Sequence, residues 1–391
     1  MVMTAEEFPQ LASDTTAGLL EAIDRILPVL EEERAAAESR GRLSERAVAA
    51  MVDAGVSRLY LPASLGGLEV DPLTCAAVTE RLAFVDTSAA WFVMVANAVK
   101  LMAAYWPEPL VAEILQDPTT IVAASGNKPL SAVAEGDGFR VNGVNSFVSG
   151  CHHAQWFCSP VMVGDDFMMS VLPMSECEII DNWQSLGMRG TGSNDVRVAD
   201  VWVPAAQIVA MQEPPGVRNA LYQGALYLCP SRILFATYVP VTLVLAERAL
   251  EELADLAQGK TPYAEGAKLK FRSIAQIKYG RALATFRSSR AYFLDALAEA
   301  WRRAQAGVAA TPEQKADLYL AGTHAVQSSA QVVRWVADAA GTSVIYQERP
   351  LERIVRDMET LRHHGFANES RYGSVAQLYW DAVLDYPLML R

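Results

Sequence analysis

The sequence has few cysteines, and none of them is placed as metal or redox cysteines are. Five occur in 391 residues, and no pair has C-x-x-C spacing; they are Cys75, Cys151, Cys158, Cys177 and Cys229. No H-x-x-x-H or H-E-x-x-H pattern occurs either, so we predict no metal site. The cysteines are odd in number and scattered along the chain. This indicates free thiols in a reducing compartment, which predicts a cytoplasmic protein.

Excess positive charge and long apolar runs are missing as well. The chain has 33 Lys and Arg against 45 Asp and Glu, a net charge of −12. A basic footprint for nucleic acid or for a membrane surface is therefore absent. The N-terminus has no basic and apolar leader, and the longest strongly apolar run covers only residues 233–246. We predict no signal peptide, no membrane span and no nucleic-acid partner.

Three motifs of nucleotide binding and hydrolysis do not occur. The sequence has no G-x-G-x-x-G after a strand, no G-x-x-x-x-G-K-[ST] and no G-x-S-x-G, which argues against a resident nicotinamide, an ATP site and a serine hydrolase. The glycine-rich residues 186–194 precede a predicted strand instead of a helix. A plain β-turn is the ordinary interpretation, and the alternative is a loop whose backbone N–H groups, with Arg189, Thr191 and Ser193, hold a phosphate or a flavin edge.

The remaining composition is that of a folded protein with a large core. Apolar residues make up 51% of the chain and charged residues 20%, which excludes a disordered or low-complexity chain. The length allows two or three domains, and the local patterns divide the chain into three zones.

The first zone, residues 1–118, has helical patterns. Ser44 is a predicted N-cap, Gly55 a helix stop, and Asp71 a cap before a proline at the first helical position. Residues 88–105 are apolar on nearly every side, which predicts a buried helix.

The second zone, residues 119–215, consists of short β-branched runs separated by turn dipeptides. Asp137-Gly138 and Asn142-Gly143 are typical of hairpin turns. We predict a small antiparallel β domain.

The third zone, residues 216–391, returns to helices. An apolar stripe predicts one helix that ends at Gly259, and a second is predicted over 266–305. The sequence from Thr311 to Gln314 predicts a capping box that opens a third helix, to about residue 340. These helices predict a C-terminal four-helix bundle, and the whole chain an α+β fold.

Short motifs along most of the chain resemble the acyl-CoA dehydrogenase family. In the first zone the resemblance rests on residues 55–67 and 80–83, in the second on 138–150, Trp156 and 195–204, and in the third on 349–357. Each motif alone is weak, but their combination and order are specific. The resemblance implies the family's fold: an N-terminal helical domain, a middle β domain and a C-terminal helical bundle.

The departures from the family favour a different chemistry. The dehydrogenases often have a catalytic glutamate eight residues after the aspartate of their Arg-Asp motif, and this position is Gly365. Residues 147–156 and 187–195 instead resemble the two-component flavin-dependent monooxygenases, the group D hydroxylases. In that branch the catalytic histidine follows the aspartate by seven residues, which corresponds to His364.

The resemblance to this branch implies an oxygenase that works with a separate reductase. Reduced flavin, FMN or FAD, would come from an NAD(P)H:flavin reductase and react with dioxygen to give a flavin hydroperoxide. The product would be an oxygenated small aromatic or heteroatom-containing substrate. The resemblance also implies a homotetramer.

The resemblance assigns roles to particular residues. His364 would be the catalytic acid/base, and Ser149 would contact the flavin and retard loss of hydrogen peroxide. The expected flavin-binding residues are Phe147, Ser149, Trp156, Arg189, Thr191 and Ser193. The expected substrate pocket contains Trp91, Asn97 and His363.

Two alternatives remain open from the sequence alone. The first is a flavin dehydrogenase or oxidase with a relocated base, for which Glu369 is the candidate. The second is a non-catalytic scaffold of the same fold, which would bind no flavin.

Overall fold

The computed structural model describes residues 3–4, 6–210, 219–263 and 266–390. The N-terminal part is helical, as expected. Its helices are α1 (Asp14–Arg40), α2 (Glu45–Asp53), α3 (Pro72–Val85), α4 (Thr87–Met102) and α5 (Glu108–Leu115).

A twisted sheet follows in the middle of the chain. Its strands are β1 (Val122–Ala124), β2 (Leu130–Glu135), β3 (Gly138–Val148), β4 (Trp156–Val163), β5 (Asp166–Pro173), β6 (Glu178–Ile180), β7 (Asn194–Pro204) and β8 (Ile208–Ala210). The strand order is β6-β7-β3-β2-β4-β5-β8, and β1 pairs with β4 outside this path. Most pairings are antiparallel, as predicted, but β1 and β2 both pair with β4 in parallel. The sheet is therefore mixed.

The C-terminal part is helical again. Its helices are α6 (Val239–Gly259), α7 (Ser273–Gln305), α8 (Pro312–Ala340), α9 (Pro350–Leu361) and α10 (Ser370–Tyr379). Helix α8 packs against α6, α7, α9 and α10. The predicted boundary between the second and third zones, 215/216, lies outside the described residues.

Local capping chemistry explains where several helices begin. The side chain of Ser44 accepts from the N–H of Ala47, and that of Asp71 accepts from the N–H groups of Leu73 and Thr74. Thr311 forms the predicted capping box with Gln314. The three predicted caps are confirmed. A cap depends on only about four consecutive residues, so the local sequence is enough to predict it.

Two local predictions are wrong. Asn142-Gly143 lies inside β3 instead of at a hairpin turn: Gly143 has φ +142° and forms a β-bulge opposite β7. A side chain at this φ would be strained, and a Cβ atom would also lie 2.9 Å from a methyl group of Leu130, so the bulge favours glycine. Helix α7 begins at Ser273 and not at residue 266, because the chain first makes a short 3-10 turn at Leu269–Phe271.

The most apolar helices form the core between the three parts. Among the described residues, the stretches 87–105 and 231–259 are long and apolar enough to span a bilayer by length and composition. The most apolar windows of these stretches are 72% and 89% buried within the protein. Helices at the centre of a folded core have the same composition.

Candidate functional site

Helices α4 and α9 meet at two side-chain contacts, and both contacts lie at the junction of the three parts. Near its start, α4 contributes Thr87 to one contact and Trp91, one turn later, to the other. Their partners are Asp357, inside α9, and His364, just after the helix ends. Because His364 follows the end of α9 by three residues, the first contact helps to position the second.

The Asp357 contact is a buried charged cluster. One carboxylate oxygen accepts from the Thr87 hydroxyl at 2.6 Å, and the other accepts from the backbone N–H of Met188 at 2.6 Å. Arg353 lies 3.5 Å from Asp357 and 3.4 Å from Asp86. Burial raises the pKa of Asp357, and the charge of Arg353 opposes that rise. The oxygens have hydrogen-bond partners, so the cluster fixes structure and leaves little capacity for a ligand.

The glycine-rich loop before β7 is attached to α9 by backbone contact. The N–H of Gly187 donates to the hydroxyl of Thr360 at 3.0 Å. A Cβ atom at Gly187 would lie 2.2 Å from the carbonyl oxygen of Arg356, so only glycine allows this approach. Met188, the next residue, has φ +54°. The loop that carries Thr191 and Ser193 is thus held at a fixed place on α9.

Three hydroxyl groups and one indole form a continuous row beside this loop. The Trp91 Nε1–H donates to Ser149 Oγ at 3.1 Å, and Ser149 Oγ lies 2.7 Å from Ser193 Oγ. Ser193 Oγ lies 2.7 Å from Thr191 Oγ1, which donates to the carbonyl oxygen of Met188 at 2.8 Å. The structure therefore brings four predicted site residues together from α4, the end of β3 and the loop.

His364 lies among aromatic rings on the other side of Trp91. Its ring centroid is 5.2 Å from those of Trp91 and Tyr238 and 4.9 Å from that of Phe366. Tyr238, just before α6, donates its hydroxyl hydrogen to the carbonyl of Leu361 at 2.7 Å. These contacts hold the imidazole in position without a carboxylate partner among the described residues.

The electrostatic surroundings keep His364 neutral. Burial among the rings, with the charge of Arg232 as a second cause, lowers the pKa of His364 to about 4. Arg232 is itself buried, and its guanidinium lies 4.7 Å from the centre of the Phe366 ring. The residue keeps some accessible surface, and its imidazole is neutral at pH 7.

The hydrogen bonding of His364 indicates its tautomer. The backbone N–H of Phe366 points to Nδ1 at 3.4 Å, which favours a lone pair on Nδ1 and the hydrogen on Nε2. The contact is long, so it holds the ring only weakly. A neutral His364 in this state offers an Nε2–H donor.

A surface cleft of about 260 Å³ opens beside Ser193, in the middle of the hydroxyl row. Its walls include Phe147 and Trp183, whose rings meet edge to face at 6.1 Å, and the hydroxyl groups of Ser146 and Ser193. Phe147 has φ +62° and is 62% exposed. A large exposed aromatic side chain on a strained backbone is typical of a ligand-binding position.

The residues of the cleft and of the hydroxyl row fit a flavin ring system. Such a ring needs apolar walls for its faces and polar groups at its nitrogen and oxygen edge. The cleft supplies aromatic walls in Phe147 and Trp183, and the row supplies hydroxyl groups in Ser149 and Ser193. Flavin chemistry is therefore compatible with the groups present.

Other predicted site residues lie apart from these groups. Asn97 is fully buried, and its amide bonds to the backbone of Tyr60, Val56 and Val93. These bonds occupy the amide of Asn97, so this side chain stabilises the fold and does not offer a polar group to a ligand. The remaining three residues differ in exposure: Arg189 and His363 are exposed, and Trp156 is half-buried at the start of β4.

The second histidine pair serves local structure. His152 Nε2 lies 3.1 Å from Asn194 Oδ1, and His153 Nδ1 lies 3.4 Å from a carboxylate oxygen of Glu45. Burial lowers the pKa of His153. The two residues follow Ser149 but face the start of β7 and α2.

No acidic side chain among the described contacts of His364 takes the place of the missing glutamate. Gly365 is exposed, and a Cβ atom there would meet open space. Glu369 is exposed at the start of α10. In the described ranges, no three His, Cys, Asp or Glu side chains gather as a metal site would require.

Sequence reasoning missed several residues of the site. Thr87, Tyr238, Arg232 and Phe366 come from distant segments, and their roles depend on tertiary packing. Only Thr87 had a local signal, since it follows the helix cap Asp86. The other three give no pattern in the sequence that separates them from ordinary core residues.

The comparisons with known protein families cover both helical parts of the chain. The family described as acyl-CoA dehydrogenase, N-terminal domain, matches residues 22–106. The family described as acyl-CoA dehydrogenase, C-terminal domain, matches residues 236–369. Together they include α4, α9 and His364.

Relatives over most of the chain have flavin-dependent oxygenase names. Indole-3-acetate monooxygenase of Pseudomonas putida is 30% identical over 334 residues, which is 83% of this chain and 84% of that protein. The flavin-dependent monooxygenase oxygenase subunit HsaA of Mycobacterium tuberculosis is 28% identical and covers 90% of this chain and 92% of its own.

Solved structures share the fold. The HsaA monooxygenase from M. tuberculosis aligns with a TM-score of 0.83 at 25% identity, over 96% of this chain and 99% of that one. XiaF from Streptomyces sp., solved with FADH2 and glycerol, aligns with a TM-score of 0.89 at 20% identity, over 98% and 100%. The predicted three-part fold is confirmed.

Proposed function

Because this chain belongs to the acyl-CoA dehydrogenase family, in its branch of flavin-dependent monooxygenase oxygenase subunits, we propose that it oxygenates a small organic substrate with dioxygen and reduced flavin. The reduced FMN or FAD comes from a separate NAD(P)H:flavin reductase. The substrate is aromatic or carries a reactive heteroatom, and it has an acidic O–H or N–H group.

One observation carries the proposal: Trp91 contacts both candidate reactive groups. Its Nε1–H donates to Ser149, and its ring lies edge-on to His364 at a centroid distance of 5.2 Å. A cofactor at the hydroxyl row and a substrate at His364 would therefore both lie next to one aromatic side chain. This arrangement supports a site in which the two reactants meet.

The bound flavin would supply the activation of dioxygen, and the protein would position, protect and exchange protons. Phe147, Ser149 and Ser193 would hold the flavin ring. The rings of Trp91 and Tyr238 would exclude water from the substrate side. His364, neutral at pH 7 because its pKa is about 4, would donate its Nε2–H to the substrate oxygen or nitrogen. To accept the acidic proton at Nε2, it would first carry its own hydrogen on Nδ1, which costs only the long contact with the Phe366 N–H.

A direct test supplies reduced FMN or FAD to the purified protein in air with a panel of phenols, indoles, thioethers and amines. Indole-3-acetate and p-hydroxyphenylacetate enter the panel first, because relatives are named for these compounds. We expect one oxygen atom from labelled dioxygen in the product. A control without protein reports non-enzymatic oxidation. Turnover of an acyl thioester with an artificial acceptor in the absence of oxygen, and none of the panel in air, would contradict the proposal.

We also propose that the protein assembles as a homotetramer. Phe271, Ile274 and Ile277, before and at the start of α7, are 67%, 55% and 51% exposed in the single chain. Apolar side chains at this spacing on a helix are typical of a covered face. Light scattering on the purified protein should give four times the mass of the chain.

A further inference from the structure

A second, much smaller cavity lies next to the hydroxyl row. This inner cavity has a volume of about 10 Å³, and Trp91 and Thr191 belong both to the row and to its walls. Apolar side chains such as Val95 line part of it. Two further polar residues line it: Ser88, in the first turn of α4, and His153, shortly after β3. A cavity of this volume has room for about one water molecule.

The polar side chains at the inner cavity have unused hydrogen-bonding capacity. The Ser88 hydroxyl and both ring nitrogens of His153 are buried and have no hydrogen-bond partner among the described residues. Ser88 is 1% exposed, and the side chain of His153 is 4% exposed. Buried polar groups in folded proteins bond to one another or to ordered water. One water molecule in the inner cavity would give the Ser88 hydroxyl and a nitrogen of His153 a common partner.

His153 connects the inner cavity with the protein surface. Its Nδ1 lies 3.4 Å from a carboxylate oxygen of Glu45, at the start of α2, and the Glu45 side chain is 87% exposed. Burial lowers the pKa of His153, so at pH 7 the imidazole is neutral, with a hydrogen on one ring nitrogen and a lone pair on the other. Such a ring can accept a proton at one nitrogen and release the hydrogen of the other.

Thr191 connects the inner cavity with the surface cleft. Its Oγ1 lies 2.7 Å from Ser193 Oγ, and Ser193 lines the cleft. A hydroxyl group can accept a proton on a lone pair and release its own hydrogen. From the solvent inwards, the series is therefore Glu45, His153, the inner cavity, Thr191 and Ser193.

We propose that this series, completed by one water molecule in the inner cavity, is a proton path from the surface at Glu45 to the cleft. The inference rests on the proposed function. In that reaction one reduced flavin anion, one dioxygen, one substrate molecule and one proton give oxidised flavin, one oxygenated product and one water. The proton enters at Glu45 and passes through His153 and the water to Thr191 and Ser193. Each group releases one hydrogen as it receives one, so the cleft gains a proton without opening the substrate side to bulk water.

A high-resolution crystal structure of the purified protein without flavin tests the water. We expect an ordered water within about 3.2 Å of Ser88 Oγ and of a ring nitrogen of His153. In Ser88→Ala the water loses one partner, and its occupancy should fall. A wild-type cavity that holds no water, or that takes up xenon under pressure as dry apolar cavities do, would overturn the proposal.

Single-turnover oxidation of protein-bound reduced flavin in air, with a substrate from the panel and an indicator dye for proton uptake, tests the path. In His153→Gly, proton uptake and product formation should slow about ten- to hundredfold. The dissociation constant of reduced flavin should stay within about twofold of wild type. Imidazole in solution should restore the rate, because it can replace the missing ring. Thiazole has a similar ring without an N–H and should not restore it. A purely structural role of His153 predicts rescue by both compounds or by neither.

Two further variants serve as controls. His152→Gly removes the neighbouring histidine, which contacts Asn194 and does not line the inner cavity, so imidazole should not change its rate. Glu45→Gln removes the group at the surface. Proton uptake should slow by less than in His153→Gly, and concentrated buffer should compensate, because this position is exposed.

The outcomes distinguish the path from the function on which it rests. Wild-type rates of proton uptake in His153→Gly, with oxygenation of a substrate by the wild type, would overturn the path and leave the monooxygenase intact. Absence of flavin binding and of oxygenation in the wild type would overturn the function and the path together, even with an ordered water in the inner cavity.

Discussion

The two contacts that α4 makes, one with α9 and one with the segment just after it, are formed by different kinds of side chain. At Thr87 and Asp357 the groups are charged or polar, and the carboxylate oxygens have partners within the protein. At Trp91 and His364 the groups are aromatic, and the imidazole has one long hydrogen bond, to the Phe366 N–H. The first contact uses its bonding capacity to hold the fold. The second leaves capacity for a ligand, which is what a reactive site needs.

The largest expected effect comes from removing the ring of the second contact. His364→Ala should lower the rate of substrate oxygenation by about 10² to 10⁴-fold, because the positioned proton-exchange group is gone. Flavin binding should remain, since the hydroxyl row is unchanged. Single-turnover oxygenation with reduced flavin measures the loss.

His364→Asn sharpens this result, because an amide donates a hydrogen bond but does not exchange a proton at neutral pH. A rate well above that of His364→Ala would assign His364 to hydrogen bonding more than to proton transfer. His324→Ala is the matched control: His324 is another half-buried histidine, in α8 beside Tyr372. Equal product yields from His364→Ala and wild type would exclude the proposed role.

Asp357→Ala should break the first contact and, unlike His364→Ala, should lower stability more than activity. We expect a loss of about 3–5 kcal/mol in the free energy of unfolding, because Met188, Thr87 and Arg353 lose a buried partner. Denaturant unfolding followed by circular dichroism measures it. A loss below that of His364→Ala would contradict the division between a structural and a reactive contact.

The pH dependence of stability should separate the two contacts as well. Because the pKa of His364 is about 4 in the folded protein and about 6.5 in an unfolded chain, the unfolded chain binds more protons between these values. His364 should therefore not affect the pH dependence of the free energy of unfolding above pH 6.5. As pH falls from 6.5 towards 4, that free energy should decrease by up to about 3 kcal/mol. Unfolding curves of wild type and His364→Ala at several pH values measure it. Parallel pH dependence in the two proteins would contradict a neutral, buried imidazole.

The smallest expected effect is that of Thr87→Val, which removes one hydroxyl from Asp357 and keeps the shape of the side chain. A hydrogen bond to a charged group contributes about 1–2 kcal/mol here. Oxygenation should fall only slightly, since Met188 and Arg353 still hold the carboxylate. Thermal unfolding compared with Thr15→Val, at an exposed threonine in α1, isolates the contribution.

Local features of the fold were predictable, and long-range features were not. Ser44, Asp71 and Thr311 could be assigned as caps because neighbouring residues complete each motif. Asn142-Gly143 has the same local pattern as a hairpin turn, and only the neighbouring Leu130 and strand β7 make it a bulge. Family resemblance was needed to select His364, since nothing local distinguishes it from His363.

The candidate site also depends on long-range contacts that the local sequence does not predict. Trp91 and His364 are 5.2 Å apart between ring centroids, although 273 residues separate them in the numbering. Such contacts depend on how the three parts of the chain pack against one another, and no short sequence pattern encodes that packing. The hydroxyl row likewise depends on residues from α4, from the end of β3 and from the loop before β7, which are distant in the sequence.

The backbone contact at Gly187 has a mechanical consequence. The glycine-rich loop and α9 lie too close for any side chain between them, and Asp357 and Thr360 bond directly to the loop backbone. The two are therefore joined at several points, so the position of the Thr191 and Ser193 hydroxyls depends on that of α9. Sliding the helix would therefore carry the loop and its hydroxyl groups with it.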